Sequence, residues 1–332
     1  MNSDTNDSPN HASMALHRFA IVCVTATFIL IFVGGLVTST GSALAVPDWP
    51  LAYGRLVPKL VGGVRFEYGH RVVAGVVVML TIILALWTAM VERRPWVRKT
   101  AYAAAAIIVV QAILGGITVL YLLPLAVAVA HAGTAQALVC VMVAMALFTN
   151  PQFGTGRRLD DDDGRPRLAT IATVTTGVIY AQILIGALMR HLGAGLAIPD
   201  FPTSFGRLTP PFVSLAIDVN FAHRCGAVAV SMLIMWTVTR IFMHYRDRPE
   251  LTRPALLLIA LLATQVTLGA LTIWSGRAVL PTTTHVAMGA AVLATSLALT
   301  IRIRALGGLA LRAEAAKVRA PISPTMERKV PA

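Results

Sequence analysis

The chain reads as a series of long apolar runs separated by short polar segments. The runs lie near 16–38, 69–91, 100–121, 125–148, 168–189, 219–243, 254–274 and 280–301. A helix rises about 1.5 Å per residue, so about 20 apolar residues cross a hydrocarbon core about 30 Å thick. The pattern therefore predicts an all-α integral membrane protein with eight transmembrane helices. The polar residues 1–15 read as a disordered N-terminus and 305–332 as a tail. Leu16–Val37 is long for a signal-peptide core and has no clear small-residue cleavage site, so it reads as a retained helix.

The eight runs are two sets of four. Val33-Gly-Gly-Leu-Val-Thr-Ser-Thr-Gly-Ser-Ala-Leu-Ala-Val-Pro-Asp-Trp-Pro50 returns as Ile185-Gly-Ala-Leu-Met-Arg-His-Leu-Gly-Ala-Gly-Leu-Ala-Ile-Pro-Asp-Phe-Pro202, 152 residues later. Tyr53-Gly54-Arg55 matches Phe205-Gly206-Arg207, and His70-Arg71 matches His223-Arg224. Gln111, Gly115, Thr118 and His131 match Gln265, Gly269, Thr272 and His285. Each half has an even number of spans, so the second enters the membrane from the same side and the repeats are parallel. The expected organisation is an N-terminal four-helix half at 16–150, a charged linker at 151–167 containing Asp160–Asp163, and a C-terminal half at 168–304. The Pro-Asp-Trp-Pro and Pro-Asp-Phe-Pro loops, 39–66 and 190–218, are expected to cap the two bundles with structured turns.

Composition supports the bilayer as solvent, with 56% hydrophobic and 13% charged residues and a mean hydropathy of +0.73. A net charge of +13 raises the question of nucleic-acid binding, and the placement of the charge excludes it. With the N-terminus inside, 20 of the 28 Lys and Arg residues fall on inner segments and 8 on outer ones. That is the positive-inside pattern of a plasma-membrane protein with both termini in the cytoplasm. Cys23, Cys140 and Cys225 sit on separate spans without CxxC or CxxCH spacing, so they indicate neither a disulfide nor covalently attached haem.

Histidine carries the candidate chemistry. His11, His17 and His244 lie in the N-terminal region or at an inner helix end, and His191 falls where the first half has Ser39. His70, His131, His223 and His285 instead occupy equivalent places near the outer ends of even-numbered spans. An ionisable group inside a span is expensive and usually has a partner and a function. For any one of them a hydrogen-bonding role and a ligand role are equal candidates; the fourfold pattern favours ligands. Helices two and four of each half run in the same direction, so their imidazoles can face each other across one iron. Two histidines per half and no thiolate at matching depth are too few for zinc, so haem is the better fit. Gly34-Gly35, Gly115-Gly116, Gly186 and Gly269 on the odd helices suit either porphyrin clearance or close helix packing. Arg71 and Arg224 suit either a haem propionate or capping and lipid contact.

The halves differ at one telling position. Glu67 lies one turn before His70, whereas its counterpart before His223 is Asn220. A carboxylate beside one metal can move protons or stabilise a developing cation, so catalysis is expected in the first half and electron transfer in the second.

Together, Gly34-Gly35-Leu-Val, Thr40-Gly-Ser, Asp48-Trp-Pro, Glu67-Tyr-Gly-His70-Arg71, Gln111-xxx-Gly-Gly-xx-Thr118, His131, His223-Arg224 and His285 resemble the haem A synthase family over about 16–304. The resemblance implies oxidation of the C8 methyl of haem O to the formyl of haem A, for terminal oxidases. It implies Glu67, His70 and His131 as the catalytic site on substrate haem O, and His223 and His285 as ligands of a haem b. Membrane lipid, a haem O synthase and an electron donor of unknown identity are the partners it implies, and a homo-oligomer is compatible with it. Many members carry a cysteine pair in the first outer loop; residues 39–66 have none, so this chain resembles a cysteine-free branch. A two-haem b-type electron carrier and a haem transporter or assembly factor are the competing readings.

Overall fold

The computed structural model describes residues 10–153, 159 and 166–319; Asp160–Asp163 of the linker lies outside them, as do residues 1–9 and 320–332. Eight helices are long and apolar enough to cross a membrane. They are α1 (Asn10–Ser39), α2 (Val64–Val91), α3 (Pro95–Leu120), α4 (Leu125–Phe148), α5 (Leu168–His191), α6 (Leu215–His244), α7 (Pro249–Trp274) and α8 (Val279–Arg319). Several helices start four or five residues before the apolar runs do. The reason is that a run registers the hydrocarbon layer, whereas the first helical turn is polar or opens on proline, as at Pro95 and Pro249. At the ends, α1 already includes residues 10–15 and α8 passes 304 to Arg319. Large apolar side chains such as Met79, Leu86, Met90 and Met232 point outward, as lipid-facing helices require.

The packing follows the duplication. In the first half α1 packs on α2 and α4, and α3 on α2 and α4; in the second α5 packs on α6 and α8, and α7 on α6 and α8. Between halves the contacts are α1 with α8, α4 with α5, and α4 with α8. Exchanging each helix for its counterpart turns the first contact into the second and the third into itself, so the interface has pseudo-twofold symmetry. Ile31, Val139, Val143, Ala290 and Ala294 fill it, while separate apolar cores fill each bundle.

The aspartate turns of the long loops repeat in both halves. The Asp48 carboxylate accepts hydrogen bonds from the backbone N–H groups of Tyr53 (2.6 Å) and Gly54 (2.8 Å), and Asp200 accepts from Phe205 (2.7 Å) and Gly206 (2.9 Å). These bonds hold Tyr53 (φ 54°) and Phe205 (φ 56°) in the left-handed region, an arrangement that a bulky residue adopts only when its surroundings enforce it. The bond from Gly206, with the Thr203 hydroxyl and Phe205 N–H, lowers the Asp200 pKa to about 2; Asp48 is lowered in the same way, by Gly54 first. The repeated aspartates are therefore permanent turn anions. Trp49 lies on Gly116 of α3, where a Cβ would come within 2.8 Å of the indole; the second half pairs the smaller Phe201 with Ala270 at those positions.

Candidate functional site: two histidine pairs

The four repeated histidines lie near the starts of α2, α4, α6 and α8, all at the end of the bundle that carries the long loops. The His223 and His285 rings lie edge to face, with centroids 6.5 Å apart and planes at 74°. His70 and His131 are near enough to interact electrostatically. The structure also decides what the glycines do. A Cβ at Gly34 would come within 3.1 Å of His70 Cε1, at Gly115 within 3.3 Å of His131, at Gly186 within 2.9 Å of His223, and at Gly269 within 3.1 Å of His285. Each odd helix thus gives up a side chain so that an imidazole of the next helix can lie against its backbone. A methyl group in these places would push the ring off its rotamer.

This geometry yields a direct test. Gly186→Val should expel the His223 ring and abolish whatever the second pair binds, although no ligand is touched. Gly177→Ala, on the same helix with nothing within 4 Å of its Cβ position, should be silent or stabilise the helix by about 1 kcal/mol. Absorption spectra and melting of the two purified variants check this, and equal behaviour of both would refute the ring-clearance role.

The ring nitrogens are not equivalent. His285 Nδ1 lies 3.1 Å from the backbone carbonyl of Gln265. A carbonyl can only accept, so Nδ1 carries the proton and Nε2 presents its lone pair. His223 Nδ1 meets the Gln182 amide (3.0 Å), which also donates to the His223 carbonyl (2.7 Å). Gln182 has only Leu30 as its first-half counterpart, and nothing in the repeat singles it out. In the first half, Nδ1 of both His70 and His131 is buried without a hydrogen-bond partner, and the Gln111 amide covers His131 Nε2 at 3.2 Å. A bis-imidazole iron fits the spacing of the second pair, provided that the Gln182 amide, which now donates to His223 Nδ1, turns so that this nitrogen carries the proton and Nε2 is freed. With about 2 Å for an imidazole–metal bond and about 1 Å from nitrogen to ring centre, the centres of two axial rings lie about 6 Å apart. Among the described residues no group of three or more His, Cys, Asp or Glu is placed to hold an ion, which leaves zinc short of ligands. The remaining histidines and the thiols are separate from the pairs: His17 Nδ1 donates to the Ala146 carbonyl (2.9 Å), and Cys23, Cys140 and Cys225 are free.

Glu67 and Asn220 turn out to have a common architectural task. Both are buried. Glu67 accepts from Val46 N–H (2.7 Å) and from Arg71 (2.7 Å); Asn220 donates to the Ala194 carbonyl (2.8 Å) and accepts from Arg224 (3.0 Å). The two arginines then reach equivalent loop carbonyls: Arg71 donates to Val46 and Leu51, Arg224 to Ile198 and Thr203. Their guanidinium groups are thus committed to the loops and stitch each one to its bundle. The charge nevertheless differs, because the first pair contains an anion and the second a neutral amide.

Comparison with known proteins places the chain in a family. The model of a family described as cytochrome oxidase assembly protein matches residues 17–64, 61–143 and 134–297. A protein of Symbiobacterium thermophilum named heme A synthase is 30% identical over 269 residues, covering 77% of this chain and 85% of its own length. Proteins of the same name from Shouchella clausii and Listeria monocytogenes are each 28% identical, the first over 67% of this chain and 76% of its own, the second over 77% and 84%. With nearly the whole membrane region matched and both histidine pairs inside it, this chain belongs to the cytochrome oxidase assembly protein family.

Proposed function

We propose that the chain is a haem A synthase that oxidises the C8 methyl group of haem O to a formyl group in two successive oxidations, with water lost from the gem-diol to leave the aldehyde. The observation that carries this reading is the set of four imidazoles, each backed by a glycine and arranged as two pairs in one duplicated bundle, in a chain whose relatives bear that name. Haem iron supplies the redox chemistry when bound.

The division of labour follows from the asymmetries. His223 and His285 hold a resident haem b, with the His285 tautomer already fixed by the Gln265 carbonyl. His70 and His131 hold the exchangeable substrate. Gln111 must leave His131 Nε2 for a ligand to bond there, which suits a site that fills and empties. Glu67 places a negative charge one turn from His70 and can stabilise positive charge that builds up on the substrate. The protein lies in the plasma membrane with both termini in the cytoplasm and both pairs toward the outer face, as the charge bias favours.

Coexpression with a haem O synthase, followed by chromatography of the extracted haems, tests the proposal. Haem A should appear only when the chain is present; two unchanged b haems and no haem A would favour an electron carrier instead.

A further inference from the structure

The second half carries positive charge that the first half lacks. Arg190, in the last turn of α5, replaces Thr38, and Arg277, in the α7–α8 turn, replaces Leu123. Arg190 reaches across the interface to α1, donating to the Gly35 carbonyl (2.9 Å) and the Ser39 hydroxyl (2.9 Å). Its Nε is buried and has no hydrogen-bond partner. Among the described residues no carboxylate pairs with it, and the charge that acts on it is the like charge of Arg277. Arg190 in turn acts electrostatically on His285. The aliphatic stem of Arg277 lies against Gly195, where a Cβ would be 3.5 Å from its Cδ, and that turn of the loop is fixed by Asn220. The first half has no cation at either place, and its own rim arginine, Arg71, the counterpart of Arg224, is neutralised by Glu67.

A half-buried guanidinium whose Nε is sealed from water without a partner, with a second cation acting on it, is costly unless an anion completes it. The anions that a haem brings to the rim of its pocket are its two propionates, and a guanidinium pairs with a carboxylate through strong charge-assisted bonds. We propose that Arg190, assisted by Arg277, is an anion clamp for a propionate of the haem held by His223 and His285, and that it retains the resident haem in the second half. The clamp rests on the two-haem reading above. It also gives that reading a reason: the half with the uncompensated cations keeps its haem, and the half that has Thr38 and Leu123 in their places exchanges it. Gly35 also packs on Thr283 of α8, with a Cβ position 3.5 Å from its Cγ2, so the same guanidinium ties α1 to the helix that carries His285.

The test compares a haem that has carboxylates with one that does not. The holoprotein is purified in detergent in a His70→Ala background, so that the second-half site alone is read. Its retention of protohaem IX and of protohaem IX dimethyl ester, introduced by exchange, is followed as loss to apomyoglobin. Arg190→Gln should speed loss of the free acid tenfold or more and leave the ester within about twofold. It should also lower the midpoint potential of the haem, because removing a neighbouring cation favours the ferric state; Arg190→Lys should restore most of that potential. Ser39→Ala, which breaks only the tether, should leave the potential unchanged. Equal acceleration for both haems, or none for either, would overturn the clamp and leave Arg190 as a tether between halves. A protein whose spectrum is the same with and without His223 would instead overturn the site reading, and the clamp with it.

Discussion

If the second pair holds haem b as proposed, replacing either His223 or His285 with alanine is expected to remove the low-spin haem b spectrum of the purified protein. The two rings lie edge to face with centroids 6.5 Å apart, and a haem iron held by both would lose one of its two protein ligands. The helices should survive the change, because each imidazole lies near a helix start against a glycine rather than in the apolar core of its bundle. The cost of truncation therefore falls on the ligand. The corresponding changes at His70 and His131 should leave that spectrum in place and abolish haem A formation. Reduced-minus-oxidised spectra of the four variants, with haem extraction from the same preparations, check the assignment. An unchanged spectrum in both second-half variants would remove it.

Glu67→Gln is expected to lower haem A formation about 100-fold or more while the second-half haem remains, taking the usual loss when a positioned acid or base is removed. The substitution keeps the size of the side chain and can still accept from Val46 N–H, so the loop should stay attached. What it loses is the anion: the amide nitrogen would face the Arg71 guanidinium, donor against donor, where the carboxylate now accepts at 2.7 Å. Some loosening of Arg71 is thus expected alongside the catalytic loss. Arg71→Lys separates the two effects, since it disturbs the loop bonds and keeps the Glu67 charge. Near-normal haem A yield from Glu67→Gln, measured against protein amount, would reduce Glu67 to the loop anchor that its hydrogen bonds already make it. Asn220→Ala is no silent mirror of this change. It leaves the Ala194 carbonyl and Arg224 short of partners, at a cost of about 1–3 kcal/mol, and should lower the stability of the second half before it affects chemistry.

The catalytic reading of Glu67 shows where residue spacing stops being informative. One turn of helix places Glu67 on the same face as His70, and that much is readable from the chain. Which partners its two oxygens take depends on Val46, 21 residues away in a folded loop, and no periodicity encodes that. Arg71 and Arg224 are a similar case. Residue type favours capping or lipid contact over a propionate, and the structure spends the donors on the loop carbonyls of Val46, Leu51, Ile198 and Thr203.

The sequence by itself determined the number of spans, the duplication and the equivalence of the four histidines. Length and hydropathy are local properties that the bilayer reads directly, and a duplicated gene keeps its register in the chain. Only the tertiary structure decided that Gly34, Gly115, Gly186 and Gly269 each lie under an imidazole, because a missing side chain looks the same in sequence whether it admits a helix, a ring or a lipid. Tertiary packing likewise brought Gln182 to His223, 41 residues away, and Arg190 to Gly35, 155 residues away. Comparison of the halves marks both only as departures, Arg190 for Thr38 and Gln182 for Leu30, and assigns neither a role. Their roles arise because α5 packs at once on α6 and against the first half, a contact set by side-chain shape over the whole bundle.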